Sequence, residues 1–124
     1  MSDDLRERGM KVRREVLGDA HVDRAEAGRT PLTEEFQEFL TRYAWGEIWT
    51  RPGLDRRTRS CITVAMLVAL NRNEELATHI RGALRNGVTA DELKEILLQT
   101  MIYCGVPAAN TAFGVAARIL AEVE

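Results

Sequence analysis

Asn73-Glu74-Glu75-Leu76-Ala77-Thr78-His79-Ile80-Arg81-Gly82-Ala83-Leu84-Arg85-Asn86-Gly87-Val88-Thr89-Ala90-Asp91-Glu92-Leu93 is the stretch that decides how the chain folds. Leu76, Ile80, Ala83 and Leu84 recur at the spacing of one helical face. Asn73 is expected to cap this helix, Glu74 and Glu75 suit its positive end, and Gly87 follows its last turn. Thr89 to Glu92 then reads as a capping box, in which hydroxyl and carboxylate satisfy each other's free N–H groups. A second helix therefore starts at once, with Leu93, Ile96, Leu97, Thr100 and Met101 expected inward. Short connections such as this one imply antiparallel neighbours.

Outward from this pair the same grammar repeats. Towards the C-terminus, Gly105 and Pro107 mark a tight break. Pro107 then opens a last helix with Ala112, Phe113, Ala116, Ile119 and Leu120 inward. Towards the N-terminus, Asp55 is expected to cap a helix whose run Ile62–Leu70 is apolar on every side. Such a helix belongs inside a bundle or an oligomer interface. Before it, Thr33 is expected to cap a helix with Phe36, Phe39, Leu40, Tyr43, Ala44 and Ile48 as its buried stripe, ended by Pro52 and Gly53. A first helix is predicted from Asp3 to Leu17, with Ser2 as cap and Gly18 as stop, then a short turn or helix over Ala20–Ala27. There is no hairpin signal and no useful alternating strand. The expectation is an all-α, antiparallel helical bundle of roughly six or seven helices, one domain spanning 1–124.

Composition narrows the function classes. The chain has 124 residues, 45% hydrophobic and 29% charged, with a net charge of −2. That suits a soluble globular protein with its own core, and it supplies no basic field for nucleic acid or an anionic membrane. No apolar run approaches the ~20 residues of a membrane span, and the charged start MSDDLRERGMK lacks a signal-peptide core. A cytoplasmic location is expected. The basic residues are 15 Arg and 2 Lys. GC-rich codon usage accounts for that bias, but Arg also grips carboxylates in a planar fork that Lys cannot form. Cys61 and Cys104 have no metal or CxxC spacing and read as buried small apolar residues. No metal signature is present.

Few groups are suited to chemistry near neutral pH. His21 lies in a polar segment and reads as a solvated surface residue. His79 borders the apolar stripe, so partial burial is expected. Glu75, one turn earlier, would favour its imidazolium form, and Arg72 precedes it near the helix start. The bland alternative is a satisfied, partly buried histidine beside a surface ion pair. The stretch Tyr43-Ala44-Trp45-Gly46-Glu47-Ile48-Trp49-Thr50-Arg51 holds both tryptophans, a carboxylate and a guanidinium. It reads either as packing or as a pocket wall, with Arg51 reaching an anion. Arg56, Arg57 and Arg59 follow as a charge cluster, solvated by default. Tyr103 could present its hydroxyl to a pocket or simply pack.

Glu75-Leu76-Ala77-Thr78-His79, Asn86-Gly87-Val88-Thr89 and Tyr103-Cys104-Gly105-Val106-Pro107 resemble the carboxymuconolactone decarboxylase family. Met10 to Gly18 and Tyr43 to Leu54 extend the likeness, so that it runs from about Arg8 to Leu120. The resemblance implies the all-helical alkylhydroperoxidase D-like fold, assembled as a homotrimer or homohexamer, and a cofactor-free enzyme. The implied reaction converts 4-carboxymuconolactone, a lactone dicarboxylate, into 3-oxoadipate enol-lactone and carbon dioxide, in the protocatechuate branch of the β-ketoadipate pathway. The peroxidase relatives carry CxxC where this chain has Arg72 and Glu75, and a glutamate where it has Ser60. A hydroperoxide reductase is therefore disfavoured. A non-catalytic helical oligomer is the remaining alternative. On the decarboxylase reading, His79 is the proton donor with Glu47 or Tyr103 as fallback. Arg51, with Arg59 or Arg72 second, holds a carboxylate, and Trp45 and Trp49 wall the pocket.

Overall fold

The structure, a computed structural model, describes residues 2–123 and the side chains of residues 4–123. The capping role expected of Ser2 and the first-turn Asp3 fall outside the described side chains. The described residues form seven α-helices and one π-helix, with no strand among them. They divide into two compact units, residues 1–55 and 56–124.

The first unit contains α1 (Ser2–Leu17), α2 (Asp19–Ala27), α3 (Glu34–Phe39) and a π-helix, Leu40–Ile48, that continues α3. Its core is Val12, Val16, Leu17 and Val22 around Trp45. Thr33 stands at the start of α3 but does not cap it with its side chain. Its hydroxyl instead accepts the Thr30 N–H at 3.0 Å, so the segment before the helix is closed as its own turn. Of the stripe expected to be buried, Leu40 and Ala44 pack against this core, but Phe36, Phe39 and Tyr43 are each more than 60% exposed. The buried positions are Thr41, Trp45 and Gly46. Beyond Leu40 the 3.6-residue period no longer applies, because the helix changes pitch there and hydrogen bonds begin to reach five residues back, as from Trp49 N–H to the Ala44 carbonyl at 3.0 Å.

The face of the π-helix that meets α1 is small because the two backbones nearly touch. A Cβ on Gly9 would lie 2.0 Å from the Thr41 carbonyl oxygen, and one on Gly46 would lie 2.7 Å from that of Leu5. Around this contact runs an ion network with Glu38 at its hub. Arg6 Nε donates to Glu38 at 2.9 Å and Arg29 Nη2 at 2.8 Å, while Arg29 also bonds Glu26 at 3.0 Å and Glu34 at 3.0 Å. The hydrogen bond from Arg6, then that from Arg29, holds the Glu38 carboxyl down at about 2, against a usual 4.5. A carboxyl depressed in the folded state contributes stability above its unfolded pKa and loses it as pH falls through the folded one. The network should therefore fade between about pH 4.5 and 2. Solvent screening limits its contribution to about 1 kcal/mol. Urea melts of Glu38→Gln should show a deficit at pH 7 that closes by pH 2. A deficit of equal size at both would show that the charge is not involved.

The second unit contains α4 (Arg56–Ala69), α5 (Asn73–Arg85), α6 (Ala90–Cys104) and α7 (Val106–Val123). Val64, Val68, Leu76, Ile80, Leu93, Leu97, Ala112 and Ile119 build its core. The turn between α5 and α6 forms as predicted, but the two helices are not packed neighbours: α5 and α6 each lie against α4 and α7 instead. Gly87 takes a φ of 93°, which only glycine adopts without strain. The Val88 N–H reaches back to the Ala83 carbonyl at 2.9 Å and the Gly87 N–H to Leu84 at 3.2 Å, the two bonds of a Schellman stop. Thr89 and Glu92 close the capping box at 3.1 and 3.0 Å. Two further expectations change, those for Asn73 and Met101. Asn73 is the first helical residue; the cap position belongs to Arg72, without a side-chain bond. α4 is split: Val64 and Val68 enter the core, while Ile62, Met66 and Leu70, one helical turn apart, remain exposed. Met101 also points out of the unit.

Candidate active site

His79 lies on the middle of α5, next to the fully buried Ile80 and three residues after Leu76. It is half-buried, and its Nδ1 is sealed from solvent. The partial burial expected from the stripe is what the helix delivers. Glu75 and Arg72 stand on the preceding turns and are exposed. Arg59 is half-buried on α4, whereas its neighbour Arg57 is ion-paired with Glu92 of the capping box. That pair ties α4 to the start of α6 and makes Arg57 a structural cation.

Within the first unit, Trp45 and Trp49 stack with ring centroids 5.0 Å apart and planes 23° from parallel. Trp45 stands in the core, so it backs the half-buried Trp49. Glu47 and Arg51 are both exposed on the same segment. His21, expected to be solvated, is half-buried.

In the second unit a cavity of about 550 Å³ opens beside α4 and α6, lined by Cys61, Ile62, Glu95, Gln99, Tyr103 and Cys104 among others. Of the sequence-derived site residues, Tyr103 lines it, and that side chain is 79% exposed. The two cysteines read as buried are reduced, half-buried and share this cavity. Its charged lining group, Glu95, has the wrong sign for a dicarboxylate, so the cavity does not suit an anionic substrate. Among the described residues no three His, Cys, Asp or Glu side chains gather as a metal site.

Sequence reading missed two things here: the buried Arg13 and the Arg29–Glu38 network. The only local signal for the network was Glu34 and Glu38, four apart on one helix face. Nothing local revealed Arg13, which reads as one more charged residue of α1.

Comparison with known proteins adds the family. The family model described as carboxymuconolactone decarboxylase matches residues 34–118. A 4-carboxymuconolactone decarboxylase of Acinetobacter baylyi is 46% identical over 99% of this chain and 92% of its own length. Nitrosuccinic acid decarboxylase of Metarhizium robertsii is 40% identical over 96% of this chain and 83% of its own. No helix among the described residues is long and apolar enough to cross a membrane. Helices throughout, a matching family model across most of the chain and decarboxylase relatives along almost all of it place this carboxy-lyase in the carboxymuconolactone decarboxylase family, with its alkylhydroperoxidase D-like fold.

Proposed function

We propose that the chain, read as one domain over 1–124, decarboxylates 4-carboxymuconolactone to 3-oxoadipate enol-lactone, in the protocatechuate branch of the β-ketoadipate pathway. The observation that carries this is the near full-length 46% identity to an enzyme of that name. The leaving carboxylate sits on a carbon conjugated through a ring C=C to the lactone carbonyl. When that C–C bond breaks, its electron pair spreads onto the carbonyl oxygen as a dienolate, and carbon dioxide departs. The substrate thus contains its own electron sink, and no cofactor is needed. The imidazolium of His79 then gives a proton to ring carbon and regains one from solvent. Glu47 and Tyr103 are the alternative donors.

Arg51, with Arg59 and Arg72 as seconds, holds the acetate-arm carboxylate, and Trp49, backed by Trp45, supplies an apolar wall. The departing carboxylate must not be gripped, since that would stabilise the ground state more than the transition state. Arg51→Lys keeps the charge but loses the bidentate fork. It should raise KM about tenfold, roughly 1.4 kcal/mol of binding, with kcat little changed; an unaltered KM would release Arg51 from this role.

The natural assembly is a homotrimer or homohexamer of a cytoplasmic protein. Its support is the apolar surface left exposed on α4 by Ile62, Met66 and Leu70 and on α6 by Met101 and Ile102. The test of function is direct: purified protein, 4-carboxymuconolactone, no added metal or cofactor, with loss of lactone absorbance and release of carbon dioxide recorded. Absence of turnover would end the proposal. The fungal relative favours including nitrosuccinate in the same assay. Both molecules carry the leaving carboxylate on a carbon joined to an electron acceptor and, through one CH2, to a second carboxylate. Turnover of nitrosuccinate alone would move the substrate assignment to that class.

A further inference from the structure

Arg13, on α1, is 4% exposed and forms no ion pair among the described residues. Its Nη1 donates to Thr41 Oγ1 at 3.4 Å and its Nη2 to Gln37 Oε1 at 3.2 Å. Its buried Nε makes no hydrogen bond. Burial pushes the guanidinium below its usual range, yet arginine keeps its proton at any working pH. Glu26 attracts it only from a distance, and a buried cation without a directly bonded carboxylate is a poor stabilising device for which an apolar replacement is often tolerated. Its location suggests another use. Gln37 lies on α3 and Thr41 on the π-helix, so the two acceptors straddle the point where one pitch gives way to the other.

The contact along α1 has a register. Leu5, Gly9 and Arg13 are four residues apart and share a face. Leu5 meets Gly46, Gly9 meets Thr41 and Gly46, and Arg13 meets Gln37 and Thr41. On the opposing side the intervals are four residues from 37 to 41, but five from 41 to 46. In an α-helix, positions five apart stand about 140° round from each other. Hydrogen bonds that close five residues back bring them to one side. The straight face of α1 is therefore matched only if the partner is α-helical up to Leu40 and π-helical after it.

We propose that Arg13 is a positioning residue: its guanidinium, bridging Gln37 and Thr41, locks the pitch change at Leu40 and so sets where Trp45, Glu47 and Trp49 stand. A return to α pitch would rotate every later position on the segment. The consequence for turnover rests on the functional reading above, which seats catalysis partly on these residues.

The Trp45–Trp49 stack gives a readout independent of activity, because closely stacked indoles couple in circular dichroism. Arg13→Met should stay helical in the far-ultraviolet but lose the tryptophan couplet, and kcat should fall about 10–100-fold, as for displaced catalytic groups, with KM less affected. Arg13→Lys keeps the charge but cannot span both acceptors, and should behave likewise. If Arg13→Met does not fold, Gln37→Met removes one acceptor at a half-buried site and should weaken the couplet. A couplet unchanged in a folded Arg13→Met protein, or in Gln37→Met, overturns the proposal. A couplet lost with kcat intact upholds the register role and instead removes this segment from catalysis.

Discussion

His79→Gln should lower kcat by about 10²–10⁴-fold, the range supplied by a positioned general acid, while leaving the melting temperature within a few degrees. Glutamine retains much of the imidazole's volume and can still donate a hydrogen bond, so the half-buried site on α5 stays filled. What it cannot do is release a proton to carbon. The measurement is kcat on 4-carboxymuconolactone with a thermal melt of the same sample. Retention of near wild-type kcat would strip His79 of the role, and Glu47→Gln and Tyr103→Phe would then be compared for the missing donor. Tyr103 is the weaker of these candidates, since it is largely exposed beside a cavity whose charge repels the substrate.

Gly9→Ala should destabilise the first unit by about 3 kcal/mol, at the upper end of ordinary overpacking. Two effects oppose each other. Alanine is favoured over glycine within a helix by up to about 1 kcal/mol. Against that, the new Cβ would lie 2.0 Å from the Thr41 carbonyl oxygen and 3.0 Å from the Gly46 nitrogen. Both are backbone atoms, so no side chain can turn aside and α1 must back away from the π-helix. The clash wins. A fall in melting temperature on the order of 10 °C follows, with loss of the tryptophan couplet. Gly114→Ala is the matched control: it lies within α7 with nothing within 4 Å of the added Cβ, so the propensity gain should emerge as a slight stabilisation. Equal melting temperatures for the two variants would show that the α1 contact is looser than drawn.

These two glycines show why some of the molecule could be read in advance and some could not. The turn from α5 to α6 was legible to the residue, since its Schellman stop and capping box are built from groups within a few positions of each other. The partial burial of His79 was legible for the same reason: it follows from where the histidine falls relative to Leu76 and Ile80 on one helix. The stripe running on from Leu40 misled, because its period assumes a single pitch and a partner with side chains to interdigitate. The partner is instead Gly9, more than thirty residues earlier, and it admits backbone in place of side chains.

Local order along the chain thus settled the helical class, the stops and starts of the second unit, and the residue types available for acid and anion-binding chemistry, because those depend on neighbours in sequence. The pitch change at Leu40, the burial of Arg13, the bond from Arg6 to Glu38 and the meeting of both reduced cysteines in one cavity were settled by folding. Each depends on groups brought together from distant positions, and neither periodicity nor propensity encodes that approach.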